Sequence, residues 1–129
     1  MMDPPKILLE ASFMHAVIDA AHEQHEESVA IYLELVQQYE AEQVLLVAVG
    51  DHLRELRGRS RRGPLAPVDP LHVGFQHRRA AARTVGRTDI ADLRHALTLV
   101  MCDRHRVRRV ATHDPSFDRY ELQLTPERG

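Results

Sequence analysis

The feature that most constrains this chain is an unbroken run of six apolar residues, Val44–Val49 (VLLVAV). A strand with one wet face alternates apolar and polar residues, so such a run reads as a strand covered on both faces. Ile7–Leu9 repeats the pattern near the start, and Val107–Thr112 supplies a β-branched strand near the end. Between them lie stretches of helical spacing. Phe13, Val17, Ala20 and Ala21 form the first, with Ser12 placed to cap it. A second starts near Glu26, its inner face carrying Val29, Ile31, Tyr32, Leu35, Val36 and Tyr39. A third follows Gly50 to about Arg57. Pro70 suits the first turn of a fourth, to about Thr84, and Thr88 can cap a fifth to about His105. The buried stripe of that last helix is expected at Leu93, Ala96, Leu97, Val100 and Met101. Short strands at Leu65–Val68 and Glu121–Thr125 complete the reading. Strands separated by helices are joined by crossovers, which favour parallel pairing. The expected fold is α/β: a three-layer α/β/α sandwich around a mainly parallel central sheet, in a single domain over residues 1–129.

Composition removes several function classes. Cys102 is the only cysteine, so neither an internal disulfide nor a Cys-based zinc site is available. It sits in the apolar run LTLVMC and reads as a buried small hydrophobe in a protein of the reducing cytoplasm. No apolar run approaches the ~20 residues of a membrane helix, and the N-terminus lacks the pattern of a signal peptide. The His22–His25 run (HEQH) lacks the two-residue spacer of a HExxH zinc motif and reads as a solvated interhelix loop.

Charge is divided unevenly. Met1–Glu55 holds 11 acids and 2 bases, whereas Leu56–Gly129 holds 8 acids and 15 bases. Such asymmetry suits an acidic region facing one partner or a metal and a basic one facing another, such as nucleic acid. Of the 17 bases 16 are Arg, which genomic base composition can also produce. Arg57 and, within Gly58–Pro70, Arg59, Arg61 and Arg62 form a basic loop, read either as an RNA-backbone contact or as a solvated loop. Three Phe, three Tyr and no Trp are too few for a base-stacking platform.

Two of the expected strands end in acids, Glu10 and Asp114. In a parallel sheet all carboxyl ends share one edge, so these residues can converge although distant in sequence. Pro115 forces a turn directly after Asp114. The commoner use of an Asp there is to bond its own backbone. Glu55, in the helix after the second strand, can lean over the same edge. Converging carboxylates repel unless a cation neutralises them, and hard oxygen ligands suit Mg²⁺ or Mn²⁺. A cation so held activates water and steadies the charge on a phosphate in flight.

With those residues in view, the chain resembles a known family. ILLEASFMHAVID, the HEESV that follows, and ALTLVMCDRHRVRRVATHDPSFDRY look like PIN domains, most of all the small bacterial VapC-type toxins. The likeness runs through nearly the whole chain; from Arg57 to Gly86 it holds only in helix order. It implies a compact α/β/α fold, usually a dimer, and Mg²⁺- or Mn²⁺-dependent endoribonuclease activity on RNA. A small antitoxin protein commonly blocks the site. Carried over by position, the resemblance makes Glu10, Glu55 and Asp114 catalytic, with Asp51 an alternative to Glu55. The metal ligands it implies are Glu10, Glu55, Asp114 and a group near the start of the last long helix.

Two positions depart from the family pattern. Glu10 stands where Asp is usual, one methylene longer. His95 stands where a third acid is usual. Three readings of His95 are open: a neutral nitrogen ligand, which Mn²⁺ accepts more readily than Mg²⁺; a residue of a site that has lost its metal; or a ring that Asp92, one turn earlier, orients or replaces. Asp89 is a more distant substitute. The rival to the nuclease is a PIN-fold module that binds RNA or protein without catalysis.

Overall fold

The computed structural model describes residues 3–57, 63–87 and 92–127. Five parallel strands form one sheet in the order β3-β2-β1-β4-β5. β1 (Lys6–Leu9), β2 (Leu45–Val49), β3 (Asp69–Leu71), β4 (Arg109–Ala111) and β5 (Gln123–Thr125) are all short. Five α-helices connect them: α1 (Ala11–Ile18), α2 (His25–Glu40), α3 (Gly50–Arg57), α4 (Phe75–Arg87) and α5 (Leu93–Arg104). A 3₁₀ helix, Pro115–Arg119, lies between β4 and β5.

The unbroken apolar runs have their expected cause. Side chains of a strand alternate between faces, and here both faces are covered. Ile7, Leu9, Leu46 and Ala48 pack with Phe13, Met14, Val17, Tyr32, Leu35 and Leu53 from α1, α2 and α3. Leu8, Val47, Val49 and Val110 pack on the other side with Ala81, Ala96, Met101 and Cys102 from α4 and α5. Each fully buried Leu or Ile contributes about 1.5–3 kcal/mol over leaving it in water. The result is the three-layer α/β/α sandwich, with a sheet that is wholly parallel.

Several local expectations are corrected. The third strand is Asp69–Leu71, not Leu65–Val68. Leu65 and Val68 are buried, but in a turn rather than a ladder. Pro70 therefore lies in a strand, at the sheet edge where its missing N–H costs no ladder bond. Helix α4 starts only at Phe75. α1 ends at Ile18, before Ala20 and Ala21, and its N-cap is Glu10 rather than Ser12. Asp92 caps α5, and Thr88 lies outside the described residues. Leu93 is exposed, while His95, Ala96, Leu97, Thr98, Met101 and Cys102 form the buried face. Gly50 has a clear steric reason, since a Cβ there would stand 2.8 Å from the carbonyl oxygen of Leu71. Among the described residues no helix is long and apolar enough to cross a membrane.

Candidate functional site: the carboxyl ends of β1 and β4

The chain builds outward from β1 to β2 and β3, then returns to lay β4 against the other side of β1. That reversal makes the carboxyl ends of β1 and β4 a topological switch point, where open α/β sheets hold ligands. Glu10 leaves β1 there, its N–H donating to the Ala111 carbonyl at 2.9 Å. Asp114 follows β4 on the adjacent strand end.

Hydroxyl groups tie the two acids together. Oε1 of Glu10 accepts from the backbone N–H of Ser12 at 3.0 Å, from the Ser12 hydroxyl, and from Thr112 Oγ1 at 2.7 Å. Thr112, fully buried, accepts in turn from the N–H of Asp114 at 3.0 Å. Ser12 Oγ accepts from the N–H of His113 at 3.0 Å. Asp114 caps the 3₁₀ helix, its Oδ1 accepting from Ser116 N–H at 2.9 Å and from Ser116 Oγ at 2.7 Å. The backbone-bonding role expected for an Asp in a turn is thus present. Every donor here is neutral. The network fixes the geometry of both carboxylates without cancelling their charge.

His95 joins the same string. Its Nδ1 lies 2.8 Å from Ser116 Oγ. Ser116 has one hydroxyl proton and gives it to Asp114, so it accepts from Nδ1–H of His95. In the neutral ring Nε2 then carries the lone pair. That atom is buried and has no hydrogen-bond partner among the described residues. Phe117 stacks on the imidazole at 4.1 Å and 19°, and Tyr120 meets it edge-on at 5.7 Å. The ring is oriented by Ser116, not by Asp92, whose Oδ1 is occupied by the N–H of Arg94 at 2.8 Å.

Glu55 sits differently. Its Oε2 pairs with Arg94 Nη1 at 2.8 Å, and both side chains are more than half exposed. The residue next to His95 in sequence thus places a permanent cation on Glu55. Asp51 is paired likewise, with Arg78 at 2.8 Å. His52, buried on the same helix as Asp51 and Glu55, has its pKa lowered, first by burial and then by Arg94. Glu10, Asp114 and His95 are therefore joined by hydrogen bonds, whereas Glu55 and Asp92 meet through Arg94.

The remaining candidates divide. Arg57 ends α3 and lines a small cleft with Ile18, Leu56, Pro64 and Leu65. Arg59, Arg61, Arg62 and Asp89 lie outside the described residues. His22 and His25 serve local structure: Nδ1 of His22 accepts from Gln24 N–H at 3.0 Å, and Nδ1 of His25 lies 2.8 Å from the Ala16 carbonyl. His113 packs on Phe13 and bonds Ser28 Oγ at 2.6 Å. Ser12, Thr112, Ser116 and Arg94 were missed as site residues. The signal for three of them was present, a hydroxyl two positions from each acid in Glu10-Ala-Ser12, Thr112-His-Asp114 and Asp114-Pro-Ser116.

For a divalent cation the donors fit in kind: two uncancelled carboxylates and an imidazole with a free lone pair. Among the described residues no three His, Cys, Asp or Glu side chains already stand as a metal-holding group. A cation would have to draw its ligands together.

No protein-family model matches this chain, and no curated protein matches it significantly. The structure is similar to the crystal structure of Mycobacterium tuberculosis VapC20, described as a Sarcin-Ricin loop cleaving toxin. The alignment covers 90% of this chain and 98% of that one, with a TM-score of 0.64 at 16% identity. At that identity the likeness is one of fold, and it settles the architecture: this chain has the PIN-like α/β/α fold.

Proposed function

We propose that this chain is an endoribonuclease of the VapC type that works with Mg²⁺ or Mn²⁺. The observation that carries the reading is the pairing of Glu10 with Asp114 through Thr112 at the switch point of a PIN-like sheet. Glu10 and Asp114 would hold the cation, with His95 supplying nitrogen and Glu55 or Asp92 a further carboxylate. The cation, when bound, supplies a water acidic enough to attack a phosphodiester and charge to steady the phosphate.

The chain's own residues do the positioning. Ser12 and Thr112 hold Oε1 of Glu10, so that Oε2 remains outside their network. Ser116 fixes Asp114 and sets the tautomer of His95. Arg94 stands beside the site with an exposed guanidinium, suited to a backbone phosphate once Glu55 lets it go. In this reading the substrate is RNA, a small antitoxin protein is the natural inhibitor, and the chain works in the cytoplasm as a homodimer.

The test is incubation of single-stranded RNA with the protein and Mn²⁺, beside an Asp114→Ala control. Cleavage by the wild type, reduced about 100-fold in the variant, is the expected result. Equal cleavage by both, or none by either, rejects a nuclease.

A second reading has its own support. Arg94 already neutralises Glu55, and His95 adds no negative charge, so the site can also serve a module that binds RNA without cutting it. That reading predicts metal-free retention of RNA, lost at high salt, with no cleavage.

A further inference from the structure

The exposed large hydrophobic side chains include Leu33, Leu93 and Phe75, and Phe75 is the most exposed of the three at 74%. It opens α4, directly after the loop that leaves the carboxyl end of β3. Phe75 thus stands on the same edge of the sheet as Glu10 and Asp114. β3 is two strands from β1 in the sheet order, about 10 Å at the usual spacing.

The surroundings of the ring are basic. The guanidinium of Arg79 lies 5.7 Å from the ring centre. Between β3 and α3 runs a cleft of about 290 Å³, lined by Arg54, Arg78, His72 and Asp51 among others. Asp51 is its one acid and is already paired with Arg78. An aromatic ring held out in water, with the Arg79 guanidinium beside it and Arg78 of the same helix lining the cleft, has the composition of a nucleotide contact: the ring takes a base and the arginines its phosphates. An apolar protein partner would need a wider apolar surface, and Phe75 stands among Gln76, His77, Arg78 and Arg79.

We infer that Phe75, with Arg79, Arg78 and Arg54, forms a subsite that stacks one base of single-stranded RNA beside the acidic site. The inference rests on the RNA reading above and adds where a flanking nucleotide binds. The three Phe and three Tyr remain too few for a base-stacking platform. One exposed ring is enough for a single base.

The chain has no Trp, so Phe75→Trp introduces a unique fluorophore. Binding of a fluorescein-labelled oligoadenylate, followed by anisotropy in EDTA and low salt, is measured for the wild type and Phe75→Ala. Trp emission of Phe75→Trp is followed in parallel with unlabelled oligoadenylate. The subsite predicts saturable quenching of the Trp and about 10-fold weaker RNA binding by Phe75→Ala, with an unchanged thermal melt. Unchanged affinity in Phe75→Ala together with an unquenched Trp overturns the subsite and leaves the RNA reading standing. Conversion of a dimer to a monomer by Phe75→Ala, with RNA affinity unaltered, assigns the ring to an interface between copies and also overturns it. Absence of any RNA binding by the wild type removes the RNA reading itself, and the subsite with it.

Discussion

Two groups of acids in this molecule are treated in opposite ways. Glu10 and Asp114 are held by serine and threonine hydroxyls and backbone N–H groups, all neutral. Glu55 and Asp51 are each held by an arginine. Neutral donors orient a carboxylate and leave its field intact; a guanidinium orients it and cancels the field. The difference teaches that a cation-seeking site is recognised less by the number of its acids than by what holds them. By that criterion the proposed cation centre is Glu10–Asp114, with Glu55 peripheral until Arg94 is displaced.

The contrast can be broken most severely through activity. Asp114→Asn or Glu10→Gln should lower Mn²⁺-dependent RNA cleavage about 100-fold. Glu55→Gln should lower it less than 10-fold, and comparable losses from all three would erase the distinction. Folding stability offers a second lever. Thr112→Val keeps the shape but removes one of the three bonds to Glu10 and leaves the N–H of Asp114 without its Thr112 acceptor. Urea unfolding should show a loss of about 1–3 kcal/mol. Arg94→Ala breaks only an exposed ion pair and should cost under about 1 kcal/mol.

The imidazole gives a sharper test. His95→Asp restores a hard ligand and should tighten Mg²⁺ binding by calorimetry about 10-fold. An unchanged titration would mean that position 95 does not face the cation. The smallest effect concerns His52. Burial lowers its pKa in the folded protein, so the unfolded chain takes up the proton first. The contribution of His52 is therefore intact above the unfolded value of about 6.5 and is lost as pH falls below it. His52→Gln should flatten that part of the stability profile measured by urea titration.

Much of this architecture was legible because its causes are local. Val44–Val49 and Ile7–Leu9 are apolar throughout because helices cover both faces of β2 and β1, and that pattern alone implies a parallel sheet. Topology then carried Glu10 and Asp114 to one edge. The third strand was misplaced because apolar residues report burial rather than pairing: Leu65 and Val68 are buried in a turn, while the paired segment Asp69–Leu71 begins with an acid and a proline. The expected stripe of α5 holds at Ala96, Leu97, Val100 and Met101 and fails at Leu93, for a related reason. Asp92 sets the start of the helix, and the register so fixed turns His95 inward onto Phe117 and Leu93 outward. The arginine partners of Glu55 and Asp51 were not legible at all, since nothing in spacing reveals contacts between α3 and the helices that follow it.

Direct titration with Mn²⁺, in the absence of RNA, tests the central distinction most directly. Calorimetry on the wild type, Asp114→Asn and Glu55→Gln should show one bound ion, lost or weakened at least about 10-fold in Asp114→Asn and nearly unchanged in Glu55→Gln. Equal binding by all three proteins, or loss in Glu55→Gln alone, would contradict a cation centre at Glu10 and Asp114.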